Sequence, residues 1–179
     1  MQLFAAWNYT MKKIKFLIKL KKEGKLEIVE PSEEVSQSYL QKSNSHLDAA
    51  KILFASNKLE DAVSMAYYGM YHSLLALLFK CGIKSENHTG SIMLLKELFN
   101  EDNLAKDITF GKKERIDKQY YTDFKLTKLD CEDMIKKAEN FIVELKKIIK
   151  QLNEEKTAKL IFELNSILNL KNIQNDKKK

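Results

Sequence analysis

The sequence of 179 residues is poor in the residues that interrupt regular structure, since it contains one proline and five glycines. Both are unfavourable inside helices, so their scarcity favours long helices joined by short turns. Cysteine is scarce too. Cys81 and Cys131 lie far apart and form no Cys-x-x-Cys motif, which predicts two reduced thiols in a cytoplasmic protein rather than a disulfide or a metal site.

Long hydrophobic runs are missing as well. No apolar run reaches the ~18 residues that cross a bilayer, and residues 1–6 are too short, and lack a preceding basic region, to be a signal peptide. We therefore predict a cytoplasmic protein that does not enter the membrane. The 31 basic against 25 acidic residues give a net charge of +6, but part of the excess lies at the two ends of the chain. Charge alone is therefore weak evidence for nucleic-acid binding.

Several signatures of catalytic or cofactor chemistry are absent from the sequence. It contains no glycine-rich phosphate loop and no Ser-His-Asp order, and His46, His72 and His88 lack the i, i+4 spacing of a zinc-binding helix. We predict no cofactor and no metal site. His46 lies on the core-facing stripe of its helix and is predicted to be a core residue. His88 lies in an Asn-His-Thr-Gly turn, and we expect it to belong to a helix cap rather than to a binding site.

Hydrophobic periodicity predicts an all-α fold, an antiparallel up-and-down helical bundle of about five helices with short extra segments at both ends. We expect bundle helices at about 32–56, 59–81, 87–99, from 102 onwards, and 130–152. Gly111 is a candidate break in the fourth helix, because glycine costs about 1 kcal/mol relative to alanine inside a helix. Gly24 and Gly82 are expected to cap the preceding helices in the left-handed conformation.

The chain divides into three expected regions. Residues 1–30 form an N-terminal extension with a short basic amphipathic helix at 11–22 and an extended segment at 25–30. Residues 31–153 form the helical bundle, and residues 154–179 carry a short last helix and a basic, disordered tail. We expect the helix at 11–22 to pack on its own domain, with a membrane surface as the alternative.

The second bundle helix has Tyr67, Tyr68, Tyr71 and His72 within six positions of an otherwise apolar segment. A buried hydroxyl or imidazole needs a hydrogen-bond partner, so leucine and alanine would suit a purely structural helix better. The pattern indicates a polar seam along this helix. His72, one turn from Tyr68, is a candidate to line it.

A second polar segment, residues 112–124, combines two lysines with Arg115 and the paired Tyr120 and Tyr121. Basic groups and aromatic rings that lie close together can hold a phosphate and stack a base, which is how single strands and nucleotides are commonly bound. The alternative is a helix end whose charges face water and whose tyrosines close the core.

These features together resemble the HEPN domains, small helical bundles often encoded beside minimal nucleotidyltransferases. The resemblance covers about residues 27–152 and rests on the order of short elements: Val29-Glu30-Pro31-Ser32, Ala49-Ala50-Lys51, Glu60-Asp61-Ala62, Ala66-Tyr67-Tyr68, Gly82-Ile83-Lys84, Asn87-His88, Arg115, Tyr120-Tyr121, and Ala138, Glu139 and Phe141. It implies an antiparallel helical bundle that forms a homodimer through its second and fourth helices. Because the pattern starts within the first thirty residues, Met11 is a credible alternative start.

Many proteins of this kind resemble metal-independent ribonucleases, in which an Arg-x(4–6)-His motif from each protomer meets across the dimer. Arg115 matches the arginine, whereas Tyr120, followed by Tyr121, stands at the histidine position. A tyrosine with a pKa of about 10 is a poor general base near neutrality, although it can donate a hydrogen bond or stack. Other similar proteins carry AMP on a tyrosine near the motif, for which Tyr120 or Tyr121 is the candidate.

Helical geometry separates Arg115 from Tyr120. Five steps of about 100° place the two residues some 140° apart on a regular helix. They converge only if the helix frays near Gln119 or if the second residue comes from the partner subunit.

Three functional hypotheses follow from the residues and the resemblance. The leading one is a dimeric protein that binds a nucleotide or RNA phosphate and acts with a minimal nucleotidyltransferase, in a toxin–antitoxin-like or substrate-binding role. Its expected ligand-binding residues are Arg115, Tyr120, Tyr121, Tyr67, Tyr68 and His72. The second is a ribonuclease with Arg115 and either Tyr120 or His72 as catalytic residues, and the third is a non-catalytic interaction bundle.

Overall fold

The computed structural model describes the backbone of residues 2–120 and 126–176 and the side chains of residues 11–115 and 126–169. Over these residues the chain forms seven helices and one two-stranded ribbon, so the all-α prediction is confirmed. In chain order the elements are α1 (Gln2–Lys22), β1 (Leu26–Ile28), α2 (Glu33–Ala55), α3 (Leu59–Lys80), β2 (Ile83–Ser85), α4 (His88–Glu97), α5 (Asp102–Tyr120), α6 (Lys128–Gln151) and α7 (Glu154–Asp176).

The central helix of the bundle is α3, which packs against α2, α4, α5 and α6. Most of its residues are buried, including Ala66, Met70 and Leu74. In the part of the chain that the structure describes, α3 is also the one helix long and apolar enough to cross a membrane, but 72% of the window concerned is buried inside the protein. Its hydrophobicity is therefore that of a core helix, surrounded by other helices.

Helix α2 lies close against α3 at Gly69. The side chain of Ser32 caps α2 by accepting a hydrogen bond from the Val35 N–H, and Ser43 donates to the Gly69 carbonyl across the interface at 2.7 Å. A Cβ at Gly69 would lie 3.3 Å from the Ser43 carbonyl oxygen. The missing side chain at Gly69 thus lets the two backbones approach, and the register of α2 on α3 follows from this contact.

The predicted glycine caps are confirmed, since Gly24 has φ +68° and Gly82 has φ +75°. The extended segment after Gly24 is also confirmed, and it pairs as β1 with β2 in an antiparallel ribbon in which Glu27 faces Lys84. We did not predict β2. Its three residues are too few for a periodic signal, and it exists because β1 supplies the hydrogen bonds.

The predicted break at Gly111 is wrong, because α5 runs without interruption from Asp102 to Tyr120. The glycine has a packing reason instead. A Cβ on Gly111 would lie 2.6 Å from Met134 Cε and 3.5 Å from the Tyr67 ring. The lack of a side chain at this position brings α5 close to α3 and α6.

The terminal helices are longer than predicted. Helix α1 begins at Gln2 rather than near Met11, and α7 continues to Asp176 instead of giving way to a disordered tail. Neither stretch contains proline or glycine, so nothing in the local sequence stops a helix there. The tail prediction is therefore wrong up to Asp176.

Both cysteines are free thiols, as predicted, and the structure shows that both are buried. Burial raises the pKa of the Cys81 thiol to about 12 and also raises the pKa of the Cys131 thiol. Both groups therefore keep their protons near neutrality and are poor nucleophiles.

Candidate functional site

Two columns of rings run along α3. Residues four apart lie on the same face of a helix, so Tyr67 and Tyr71 form one column and Tyr68 and His72 form the next. The first column faces α4, and the second faces α2. The polar seam predicted from the sequence is thus present as two adjacent stacks.

In the first column, Tyr67 is fully buried and its hydroxyl lies 2.5 Å from Nδ1 of His88. The His88 ring stacks on Tyr71, with ring centroids 3.7 Å apart and planes within 8°. Burial is the main cause of a raised pKa for both Tyr67 and Tyr71. Desolvation, followed by the positive charges of Arg115 and Lys112, lowers the pKa of His88 to about 4.

These pKa shifts leave both members of the pair uncharged near pH 7, since Tyr67 keeps its proton and His88 does not take up a second one. A hydroxyl and a neutral imidazole can each donate or accept, so the tautomer of His88 decides which group donates. In either tautomer the Tyr67–His88 contact is a hydrogen bond between uncharged groups.

In the second column, His72 stacks on His46 of α2 with ring centroids 4.8 Å apart and planes within 12°. Tyr39 also stacks on His72, at 5.8 Å, and on Phe79 at 5.3 Å. Burial, His46 and Lys42 lower the pKa of His72 to about 4, and burial also lowers the pKa of His46. Both imidazoles are neutral at pH 7.

Arg115 joins the two columns from α5. Its Nη1 donates to the Tyr68 hydroxyl at 2.5 Å, and its guanidinium carbon lies 5.6 Å from the Tyr67 ring centroid and 5.3 Å from that of Tyr68. These are distances at which a guanidinium is attracted to an aromatic face. The Nε donor is buried and has no hydrogen-bond partner among the residues that the structure describes.

A second cation lies beside Arg115. Lys112, one turn earlier on α5, donates to the Thr89 hydroxyl of α4 at 2.7 Å. Burial and the neighbouring Arg115 lower the pKa of Lys112. The Arg115 site, as we use the term, comprises Arg115 and Lys112 with the rings of Tyr67, Tyr68, His72 and His88.

The structure brings together four of the six residues proposed from the sequence: Arg115, Tyr67, Tyr68 and His72. Tyr120 is the last residue of α5, and its side chain, like all of Tyr121, lies outside the described residues. The helix is continuous through Gln119. The fraying that would bring Arg115 and Tyr120 together within one protomer is therefore not observed.

Sequence reasoning missed two members of the ring cluster, His46 and His88. His46 is half-buried and stacked on His72 rather than enclosed in the core. His88 does follow the capping residue Asn87, yet its ring is directed to Tyr67.

The sequence does contain one feature that indicates the position of the site. Arg115 is the sole arginine, and every other basic residue of the 31 is lysine. A planar guanidinium stacks on rings and binds phosphate in ways that lysine does not.

The Tyr67–His88 hydrogen bond permits a direct test. Tyr67→Phe leaves His88 Nδ1 without its hydrogen-bond partner, and we expect it to lower the free energy of unfolding by about 1–3 kcal/mol. The matched control is Tyr39→Phe, which removes a hydroxyl from the same ring cluster but breaks no hydrogen bond among the described residues. Urea unfolding at pH 7.5 gives both values, and equal losses for the two variants would contradict this role of the hydrogen bond.

The comparisons with known proteins agree with this architecture. The family model of the HEPN domain matches residues 36–166, which include every ring and cation of the Arg115 site. The chain belongs to the HEPN family. The matched segment starts after α1 and β1, so the N-terminal helix lies outside it.

Three relatives extend the finding. A Methanocaldococcus jannaschii protein named "Putative toxin MJ0605" is 34% identical over 126 residues, which cover 66% of this chain and 92% of the relative. A UPF0332 protein of Thermotoga maritima is 23% identical over 67% of this chain and 95% of its own length. A UPF0332 protein of Archaeoglobus fulgidus is 28% identical over 62% of this chain and 91% of its own length. The HEPN unit of this chain is thus similar to nearly the full length of each relative.

Proposed function

We propose that this HEPN protein binds a phosphate group of single-stranded RNA or of a nucleotide at the Arg115 site. The observation that carries the proposal is the arrangement of Arg115, which is fixed by the Tyr68 hydroxyl and two aromatic faces. A guanidinium held in this way is preorganised for a phosphate, because its position is set before the ligand arrives. Lys112 adds a second positive charge on the same helix.

The biological setting is part of the proposal. The similarity to a relative named as a putative toxin supports a toxin–antitoxin-like role, and we propose a cytoplasmic homodimer that acts with a minimal nucleotidyltransferase. In such a dimer, Tyr120 and Tyr121 of one protomer would complete the ligand site of the other. This arrangement removes the need for Arg115 and Tyr120 to converge on one helix.

A metal-independent ribonuclease is the second candidate, and one observation favours it. Arg115 shares a ring cluster with three neutral imidazoles, those of His46, His72 and His88. A neutral imidazole can accept the proton of a ribose 2′-hydroxyl. The lowered pKa values of about 4 for His72 and His88 make these two rings weak bases, which is why binding rather than cleavage is the leading proposal.

Replacement of Arg115 tests the binding proposal. Because hydrogen bonds to charged groups are worth about 1.5–3 kcal/mol, we expect Arg115→Ala to weaken the binding of a fluorescent single-stranded octaribonucleotide by about tenfold or more. Arg115→Lys keeps the charge but loses the planar fork, and we expect an intermediate loss. Fluorescence anisotropy at fixed ionic strength measures all three affinities.

The control for charge is Lys147→Ala, which removes one exposed cation on α6 and should leave binding unchanged. Equal affinities for the wild type and Arg115→Ala would overturn the proposal. The same incubations, run with a metal chelator, report on cleavage. RNA cleavage that survives chelation and disappears in Arg115→Ala would replace the binding role by the ribonuclease role.

A further inference from the structure

A groove of about 520 Å³ lies between α1, α4 and α5, beside the Arg115 site. Its floor is apolar and includes Ile92 and Met93 of α4 and Ala105 of α5. Its size falls within the range of cavities that bind small molecules. None of the residues on its floor takes part in the ring cluster.

The rim of the groove is basic. Four lysines and two carboxylates line it, and each carboxylate is paired with a lysine, Glu97 with Lys13 and Asp102 with Lys96. Lys106 and Lys113 remain, and neither has an ion pair among the described residues. They lie seven residues apart on α5, on one face of the helix. The groove therefore has an excess of positive charge concentrated on α5.

An exposed aromatic ring lies between these two lysines. Phe110 is 45% exposed and lines the groove, and the ammonium group of Lys137 lies 5.8 Å from its ring centroid. An exposed ring in basic surroundings is the combination by which proteins grip single strands, since bases stack on the ring and lysines neutralise the phosphates. An aliphatic partner surface would not require the surrounding positive charge.

The groove is continuous with the Arg115 site. Thr89 lines the groove and also accepts the hydrogen bond of Lys112 at 2.7 Å. Lys113, the next residue of α5, lines the groove itself. Lys112 and Thr89 therefore connect the Arg115 site with the groove.

The N-terminal helix supplies one wall of the groove. Lys13 of α1 lines it, and Leu20 of α1 packs so closely on α4 that a Cβ at Gly90 would lie 2.5 Å from its Cδ1. Helix α1 precedes the residues matched by the HEPN model, 36–166. The groove is thus completed by a segment outside the family unit.

We infer that the groove binds a further nucleotide unit, with the base against Phe110 and Met93 and the phosphate at Lys106 and Lys113. The inference rests on the proposed function, because the strand that occupies the groove is the one whose phosphate lies at Arg115. The same chemistry fits a free mononucleotide or one unit of an RNA strand. The ligand is therefore recognised by its base and its phosphate together.

The test compares two variants that carry the same three kinds of substitution. The groove variant combines Phe110→Leu, Lys106→Gln and Lys113→Gln. The control variant combines Phe162→Leu, Lys147→Gln and Lys150→Gln, which changes an exposed ring and two lysines on α6 and α7. Binding of a fluorescent octaadenylate is measured by anisotropy, with unlabelled diadenylate, AMP and hexaglutamate as competitors.

We expect the groove variant to bind the octamer about tenfold more weakly than the wild type, as the removal of base stacking predicts. The slope of log K against log salt should become shallower by about 0.7 for each phosphate that a lysine no longer neutralises. The control variant and the affinity for diadenylate should not change. If AMP competes less effectively with the groove variant than with the wild type, the groove also takes free nucleotides; if it competes equally with both, the groove serves a strand.

Three outcomes contradict the inference. Unchanged octamer binding by the groove variant, together with weakened binding by Arg115→Ala, overturns the groove and leaves the proposed function intact. Failure of the wild type to bind any RNA overturns both. Displacement of the octamer by hexaglutamate as efficiently as by AMP, abolished in the groove variant, assigns the groove to an acidic peptide instead.

Discussion

Acidification from pH 7.5 to pH 5 is expected to lower the free energy of unfolding by about 2–3 kcal/mol, shared between His72 and His88 and reduced by solvent screening of these half-buried rings. Both rings have a pKa near 4 in the folded protein and about 6.5 in the unfolded chain. The unfolded state therefore binds more protons between these values, and stability falls as the pH falls through 6.5 towards 4. The loss is large against a typical stability of about 5–15 kcal/mol.

Between pH 7.5 and pH 5 the histidines of the unfolded chain take up protons, whereas the ion-paired carboxylates of the folded protein do not. The pKa of Glu33 is lowered mainly by its hydrogen bond to Lys80, and the pKa of Asp102 is lowered by Lys96. Both carboxylates are therefore still ionised at pH 5, and their contribution is lost only at lower pH. Urea unfolding at several pH values and constant ionic strength measures the effect.

The substitution His72→Phe measures how much of this pH dependence of stability comes from His72. His72→Phe preserves a planar ring against His46 and cannot ionise. The Nδ1 atom that it removes makes no hydrogen bond of ordinary geometry to the residues that the structure describes. We expect it to remove about half of the pH dependence while stability at pH 7.5 changes little. The groups that face His72, namely His46 and Lys42 on α2 and Tyr68 on α3, stay in place. A stability that is flat between pH 7.5 and pH 5 in the wild type would refute the account.

The neutral rings also define the electrostatics of the Arg115 site. At pH 7 the three imidazoles carry no charge, because desolvation dominates the lowering of each pKa. Arg115 and Lys112 are then the cations that an approaching phosphate meets among the described residues of the site. Uncharged rings surround the guanidinium with a less polar medium than water, in which its attraction for an anion is stronger.

Much of the fold could be predicted from the sequence because its signals are local. The periodic stripes predicted the bundle helices to within a few residues, and the left-handed caps at Gly24 and Gly82 follow from their place at the ends of those stripes. The grouping of Tyr67, Tyr68 and His72 follows from helical spacing alone. The family prediction is confirmed by the HEPN model.

The features that were missed depend on contacts between distant segments. His46 and His88 join the ring cluster only because α2 and α4 pack against the two columns of α3. Gly111 was misinterpreted as a break because propensity penalises glycine, whereas the close approach of α5 to Tyr67 and Met134 decides the outcome. Tertiary packing overrides propensity at such positions.

Gly82→Ala is expected to lower the free energy of unfolding by about 4 kcal/mol, among the largest effects of a small side chain. An alanine at φ +75° costs about 1–2 kcal/mol by itself. The new Cβ would also lie 2.4 Å from the Val29 carbonyl oxygen, a backbone atom that cannot rotate away. Relief of this contact requires β1 to separate from β2, because the Val29 N–H donates to the Gly82 carbonyl at 2.9 Å.

Gly24→Ala is the matched control for Gly82→Ala. Gly24 has nearly the same φ, +68°, but a Cβ there would meet no atom within 4 Å, so we expect only the backbone term of about 1–2 kcal/mol. The difference between the two variants in urea unfolding isolates the contact with Val29. Displacement of the backbone at Gly82 should also disturb the ring cluster. The Ser32 N–H at the start of α2 donates to the Phe79 carbonyl, three residues before Gly82, so this hydrogen bond ties α2 to the end of α3. Equal stabilities for the two variants would show that the ribbon moves freely and does not hold α2 in register on α3.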